Sequence, residues 1–83
     1  MFYTYVLLSL KDKKLYTGYT KNLKNRFRQH QQGKVFSTKN RLPLKLIYYE
    51  ACIKEEDAKQ RERYLKSGRG KQYIKQRLKR FFS

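Results

Sequence analysis

The sequence predicts an α+β fold in which a small three-stranded, mainly antiparallel sheet is flanked by helices, in the order β-β-α-β-α-α. Three observations predict it. Two short runs rich in tyrosine, valine and leucine, Phe2 to Ser9 and Leu15 to Thr20, are separated only by a polar turn, as a hairpin requires. A third strand-forming run, Leu44 to Glu50, lies far along the chain. The segments between and after these runs carry helix starts and stops rather than strand alternation. At 83 residues the chain is expected to form one domain, residues 1–83, with a small core shared among a few elements.

Phe2 to Ser9 has the make-up of a buried strand. It has no basic leader and is too short to span a membrane. Lys11-Asp12-Lys13-Lys14 is the polar turn. Asn22 offers an N-cap oxygen to a helix over Leu23 to Gln32, stopped by Gly33, with Leu23 and Phe27 as its buried face. A basic loop, Lys34 to Leu42, leads through Pro43 into the third strand. Lys54 to Ser67 is helical in composition, and the acids of its first turn suit the helix dipole. Gly68 and Gly70 are expected to break it, and Lys71 to Arg80 reads as a final amphipathic helix. Cys52, the only cysteine, allows no disulfide or zinc site within one chain. It is expected to be a small buried hydrophobe, in a protein of the reducing cytoplasm.

Charge narrows the function. Lys and Arg number 22 against 6 acids, a formal +16, well beyond what solubility needs. A compact polycation is relieved by a polyanion through phosphate contacts and counterion release, which points to nucleic acid. A membrane-surface binder would need a broad exposed apolar helix face. The candidates for one, Tyr73, Ile74, Leu78, Phe81 and Phe82, are assigned to closing the core, so no membrane partner is expected. The acids are gathered rather than scattered: Glu50, Glu55, Glu56, Asp57 and Glu62 stand together, and only Asp12 is apart. Such a cluster in a basic chain either neutralises a helix start or holds a metal.

Five residues form a candidate constellation. Tyr5 and Tyr16 lie on neighbouring strands of the hairpin, and Gly18 after Tyr16 permits a close backbone approach. Arg26 and His30 are one helical turn apart and share a face. Glu62 borders the inward stripe of its helix, about 40° from Ala58 and about 60° from Leu65. Each has an ordinary reading. A strand tyrosine is usually core, a single histidine is usually structural, Arg26 is one of many cations, and Glu62 can pair with Lys66 one turn on. Only their joint spacing points to an enzyme.

That joint spacing resembles the GIY-YIG nuclease superfamily, in its small stand-alone branch similar to the N-terminal domain of excinuclease C. The name-giving motifs fall on Tyr3-Thr4-Tyr5 and Tyr16-Thr17-Gly18. The run from Asn22 to His30 resembles the family's arginine helix, Arg41 to Glu50 its third strand, and Ala58 to Lys66 its glutamate helix. Tyr3 and Thr4 stand where the family has glycine and isoleucine, and Thr17 where it has isoleucine or valine. No asparagine follows Asn40, which leaves no residue for the asparagine some members carry near the C-terminus. No appended DNA-targeting domain is expected.

The resemblance implies a GIY-YIG endonuclease that hydrolyses DNA phosphodiesters with one Mg²⁺ or Mn²⁺ held by Glu62. It implies catalytic roles for Tyr5, Tyr16, Arg26, His30 and Glu62. Arg26 would clamp the phosphate, and one of the two tyrosines, with Tyr16 favoured, would act as base. Its pKa would need lowering from about 10 by cations such as Arg26, His30 and Lys21. His30 would orient the water or relay its proton. Lys21, Lys34, Lys39, Arg41, Arg69, Lys71 and Lys75 are the candidate phosphate contacts. A structure-directed or weakly sequence-selective activity in DNA repair or recombination is expected, on branched or single-stranded DNA, with RNA left open. The alternative is a basic nucleic-acid-binding module without catalysis.

Overall fold

Alternation along β1 (Phe2–Ser9) divides the molecule into two layers. The computed structural model describes residues 1–83. β1 is the middle strand of a three-stranded antiparallel sheet, between β2 (Leu15–Thr20) and β3 (Leu44–Cys52). Its successive side chains point to opposite faces, and a near-continuous apolar run is what a strand covered on both faces needs. The hairpin sets the register that matters for function: Tyr5 stands opposite Gly18, and Leu7 opposite Tyr16.

One layer is built on Tyr5, Leu7 and Leu44. Leu23 and Phe27 of α1 (Leu23–Gln31), together with Tyr16, Leu42 and Leu46, pack against them. The Asn22 side chain caps α1 by accepting the Asn25 N–H at 3.1 Å, and Gly33 takes the left-handed φ of 72° that ends the turn. Leu23 and Phe27 are only half-buried; the fully buried residue of α1 is His30.

The other layer joins Val6 to Leu65 of α2 (Glu55–Lys66) and Ile74 of α3 (Gly68–Arg77). Each is at most 1 % exposed, and burying a side chain of this size contributes about 1.5–3 kcal/mol. Thr4 Oγ1 donates to the Ala58 carbonyl at 2.8 Å, tying the sheet to α2. A second tie is polar. Arg61 donates from Nε and Nη2 to the Glu50 carboxylate at 2.7 and 2.9 Å, and the Tyr48 hydroxyl donates to it at 2.8 Å. The Arg61 guanidinium lies 5.0 Å from the Tyr64 ring and 5.5 Å from the Tyr73 ring.

The C-terminal third corrects the expected boundaries. Gly68 and Gly70 do not break a helix; they lie in the first turn of α3. The break is Ser67, whose extended backbone separates α2 from α3 while its hydroxyl accepts the Gly70 N–H at 3.1 Å. Glycine at 70 is a packing requirement, since a Cβ there would lie 2.0 Å from the Tyr64 carbonyl oxygen and 2.4 Å from Leu65 Cα. Helix α3 ends at Arg77, and a further turn, α4 (Lys79–Phe82), follows. Ile74 closes the core and Leu78 packs beside it, but Tyr73, Phe81 and Phe82 are exposed. Strand β3 runs two residues past Glu50. At its end Cys52 is half-buried rather than buried, and its thiol donates to the Lys54 carbonyl at 3.3 Å. No helix is long and apolar enough to cross a membrane.

Candidate active site

Gly18 opens the site. A Cβ at this position would lie 2.6 Å from the Tyr5 hydroxyl oxygen and 2.7 Å from Tyr5 Cζ. The missing side chain is therefore the space the Tyr5 phenol occupies. Tyr16, two residues earlier on β2, faces the same side, with its ring centroid 6.5 Å from that of Tyr5. The His30 imidazole meets both rings edge-on, at 5.6 Å from Tyr5 and 5.3 Å from Tyr16. Its Nε2 and the Tyr5 hydroxyl are hydrogen-bonded at 2.8 Å, and its Nδ1 and the Thr38 hydroxyl at 2.8 Å. A neutral imidazole carries one N–H. Either Tyr5 donates to His30 and His30 to Thr38, or all the donors reverse. The three side chains thus form a hydrogen-bonded line whose donors can run in either direction.

Thr38 had no signal in the sequence. It lies in the basic loop, yet it is fully buried, and Val35 beside it is nearly so. With Thr4, Ser9, Thr17 and His30 it belongs to a set of buried polar residues, and no buried side-chain N or O atom lacks a partner. In a core this small, an unpaired group would cost about 1–3 kcal/mol.

The electrostatics differ from the expected cationic field around the phenols. Burial pushes Tyr5 up to about 12; the Tyr16 and Glu62 charges add to the rise, and Arg26 opposes it without prevailing. Burial, reinforced by Arg26, also brings His30 down to about 4. His30 is therefore neutral at pH 7 and supplies no positive charge. Arg26 is half-buried, acts on both Tyr5 and His30, and is steadied by donating from Nη1 to Gln29 Oε1 at 3.1 Å.

Glu62 approaches from the other layer. Helix α2 packs on β1 and on the edge strand β2, and the Glu62 carboxylate acts on the Tyr5 phenol. Its side chain is 20 % exposed and pairs with Lys66 through Oε2 at 3.2 Å. The other acids of the cluster have different tasks. Glu50 is held by Arg61, Glu55, Glu56 and Asp57 fill the first turn of α2, and Glu55 also accepts from the Tyr19 hydroxyl at 3.5 Å. No group of three or more His, Cys, Asp or Glu side chains converges anywhere in the chain, so no closed cage of protein ligands surrounds Glu62. That fits a hard divalent ion such as Mg²⁺, which retains most of its waters. The Lys66 pair is no obstacle, because a partly exposed i,i+4 contact is worth only about 0.3–0.5 kcal/mol.

The basic residues sort into distinct places. Beyond Tyr19 and Thr20, Lys21, Asn25, Arg26 and Gln29 line a polar cleft of about 440 Å³. At the opposite end of β2, Lys71 and Lys75 meet Lys13, Lys14 and Arg41 around a second cleft of about 630 Å³. Lys13 and Lys14 are additions to the expected set. Arg41 is half-buried and held by Asp12 at 2.8 Å, which brings the Asp12 carboxyl down to about 2. Lys34, Lys39 and Arg69 are exposed and line neither cleft; the Lys39 amine lies 4.8 Å from the Phe36 ring centroid.

This arrangement of two phenols, a guanidinium, an imidazole and a carboxylate can be compared with known proteins. Residues 1–79 match the GIY-YIG catalytic domain family. The chain belongs to the GIY-YIG family. A UPF0213 protein of Clostridium perfringens is 42 % identical over 67 residues, covering 80 % of this chain and 71 % of the relative. One from Pediococcus acidilactici is 42 % identical over 81 residues, covering 94 % and 78 %. Another, from Streptococcus pyogenes serotype M5, is 46 % identical over 65 residues, covering 77 % and 70 %. No solved structure matches the chain. The three-stranded sheet and the helix order are thus those of a GIY-YIG domain, and the GIY-YIG family is a nuclease family.

Proposed function

We propose that this GIY-YIG protein is a metal-dependent endonuclease that hydrolyses DNA phosphodiester bonds. It would be structure-directed or weakly sequence-selective and would act in DNA repair or recombination in the cytoplasm. The observation that carries the reading is the cluster beside Gly18, in which Tyr5, Tyr16 and His30 meet on one face of the sheet with Arg26 one helical turn from His30.

Phosphodiester hydrolysis needs a base for the attacking water, stabilisation of charge on the phosphate and help for the leaving oxygen. Tyr16 is the base. Tyr5 is 1 % exposed, its hydroxyl is committed to His30, and its pKa is displaced in the wrong direction for a base. Tyr16 is more open and stacks edge-on against a neutral imidazole. His30 and Thr38 hold Tyr5 in place beside Tyr16. Arg26, braced by Gln29, presents a planar fork to two phosphate oxygens. Glu62 would hold Mg²⁺ or Mn²⁺, which when bound neutralises phosphate charge and assists the leaving 3′ oxygen. The clefts at the two ends of β2 place cations on either side of these groups, so a strand lying along β2 would meet phosphate contacts before and after the bond to be cut.

The test is cleavage of plasmid, branched DNA and RNA with Mg²⁺ or Mn²⁺, comparing the parent with Glu62→Ala and Arg26→Ala. Both variants are expected to bind DNA and not to cut it. Variants that cut as well as the parent would show that the site is misassigned. A parent that binds in a salt-dependent way but cuts nothing would be a binding module.

A further inference from the structure

Between β1, α1 and β3 lies a groove of about 730 Å³ that the proposed reaction does not use. Its apolar lining includes Tyr3, Phe27 and Tyr49, its cationic lining is Lys21, Lys24 and Arg28, and none of its ten lining residues is acidic. Tyr49 leaves 54 % of its surface exposed and meets Tyr3 edge-to-face at 6.1 Å. Lys21 and Asn22 line both this groove and the cleft containing Arg26, so the two adjoin. Aromatic faces interleaved with cations, free of carboxylates, match one ligand chemistry: unpaired nucleobases on a phosphate backbone.

We infer that this groove is a subsite for an unpaired base of the strand whose phosphate lies at Arg26, with Tyr49 as its stacking platform. This rests on the nuclease reading for its neighbour and deepens it by naming the substrate class as DNA with a single-stranded segment beside the scissile bond. A base inside a duplex is stacked on its neighbours and cannot enter, whereas an unpaired one exchanges water for aromatic surface. Lys24 and Arg28, one turn apart on α1, would hold the phosphates flanking that base. A peptide aromatic would find the same apolar lining but would gain nothing from three cations without an acid.

The experiment measures metal-free binding of the full chain to a short oligothymidylate and to an abasic strand of the same length and charge. The variants are Tyr49→Ala and Tyr49→Phe. Tyr49 is an exposed residue outside the catalytic set, and Tyr49→Phe keeps the ring in case Tyr49→Ala disturbs β3. The parent is expected to prefer the base-bearing strand by roughly 5- to 100-fold, the range for stacking one base on one aromatic ring. Tyr49→Ala should lose most of that preference while binding the abasic strand as before, and Tyr49→Phe should retain it. Equal affinity of the parent for both strands, or a preference untouched in Tyr49→Ala, would overturn the subsite. Because no metal is present, cleavage does not enter the result. A chain that prefers bases but never cuts keeps the subsite and loses the nuclease reading, and one that cuts without any preference does the reverse.

Discussion

Replacing Gly18 with alanine tests the geometry at its tightest point. The new Cβ would lie 2.6 Å from the Tyr5 hydroxyl oxygen, against about 3.5 Å for a comfortable contact, so the phenol must retreat by about 1 Å. It has nowhere free to go, being 1 % exposed and tethered to His30 at 2.8 Å. A retreat of that size stretches the tether beyond hydrogen-bonding distance. Overpacking of this kind costs about 1–3 kcal/mol and a stranded buried hydrogen-bonding group about 1–3 kcal/mol, so a loss of about 2–6 kcal/mol is expected. The intrinsic effect of exchanging glycine for alanine in a strand has the opposite sign, at roughly 0.5–1 kcal/mol, so destabilisation can come only from the collision. For a chain of this size each kcal/mol moves the midpoint by about 4–8 °C, and thermal unfolding should begin at least about 10 °C earlier. Cleavage should fall by about 100-fold, the consequence of a 1 Å misplacement. A variant that melts with the parent and cuts like it would refute the placement of Tyr5 across Gly18.

Three further outcomes are expected. Tyr16→Phe should lower the cleavage rate by about 100-fold or more with DNA affinity unchanged, while Tyr5→Phe should lose stability and retain more activity; the reverse pattern in cleavage and melting assays would make Tyr5 the base. His30 is the only histidine and its folded pKa lies near 4, below the ordinary 6.5; the unfolded chain therefore takes up the proton first, and stability is complete above about pH 6.5 and declines as pH falls toward 4. Denaturant midpoints across that window should slope in the parent and flatten in His30→Gln; an unchanged slope would mean that another group titrates. Gly70→Ala should cost at least about 3 kcal/mol, because the collision is with backbone of the preceding helix, and a urea midpoint like the parent's would contradict the α2–α3 packing.

Local patterns made much of the fold readable. The hairpin follows from two apolar runs around a polar turn, and it brings Tyr5 and Tyr16 to one face because strand periodicity leaves no other choice. Arg26 and His30 share a helix face for the same kind of reason. What the sequence withheld depends on contacts between distant segments. Gly70 looks like a helix breaker until its distance to the Tyr64 carbonyl is known. Thr38 looks like one polar loop residue among several until His30 is found beneath it. Cation counts say nothing about burial, which outweighs Arg26 at Tyr5. Helix periodicity puts Glu62 beside an inward stripe, but only the packing of α2 across the edge strand brings its charge to bear on a phenol in the other layer.

Because no strand lies beyond β2, Tyr16, the proposed base, stands on the edge of the sheet, on an open ledge rather than in a tunnel. A long polymer can be laid onto a ledge from the side at any point along its length, without first finding a free terminus and feeding it through. The same openness leaves the protein little with which to enclose its substrate, so its grip must come from attraction along the ledge rather than from walls around it.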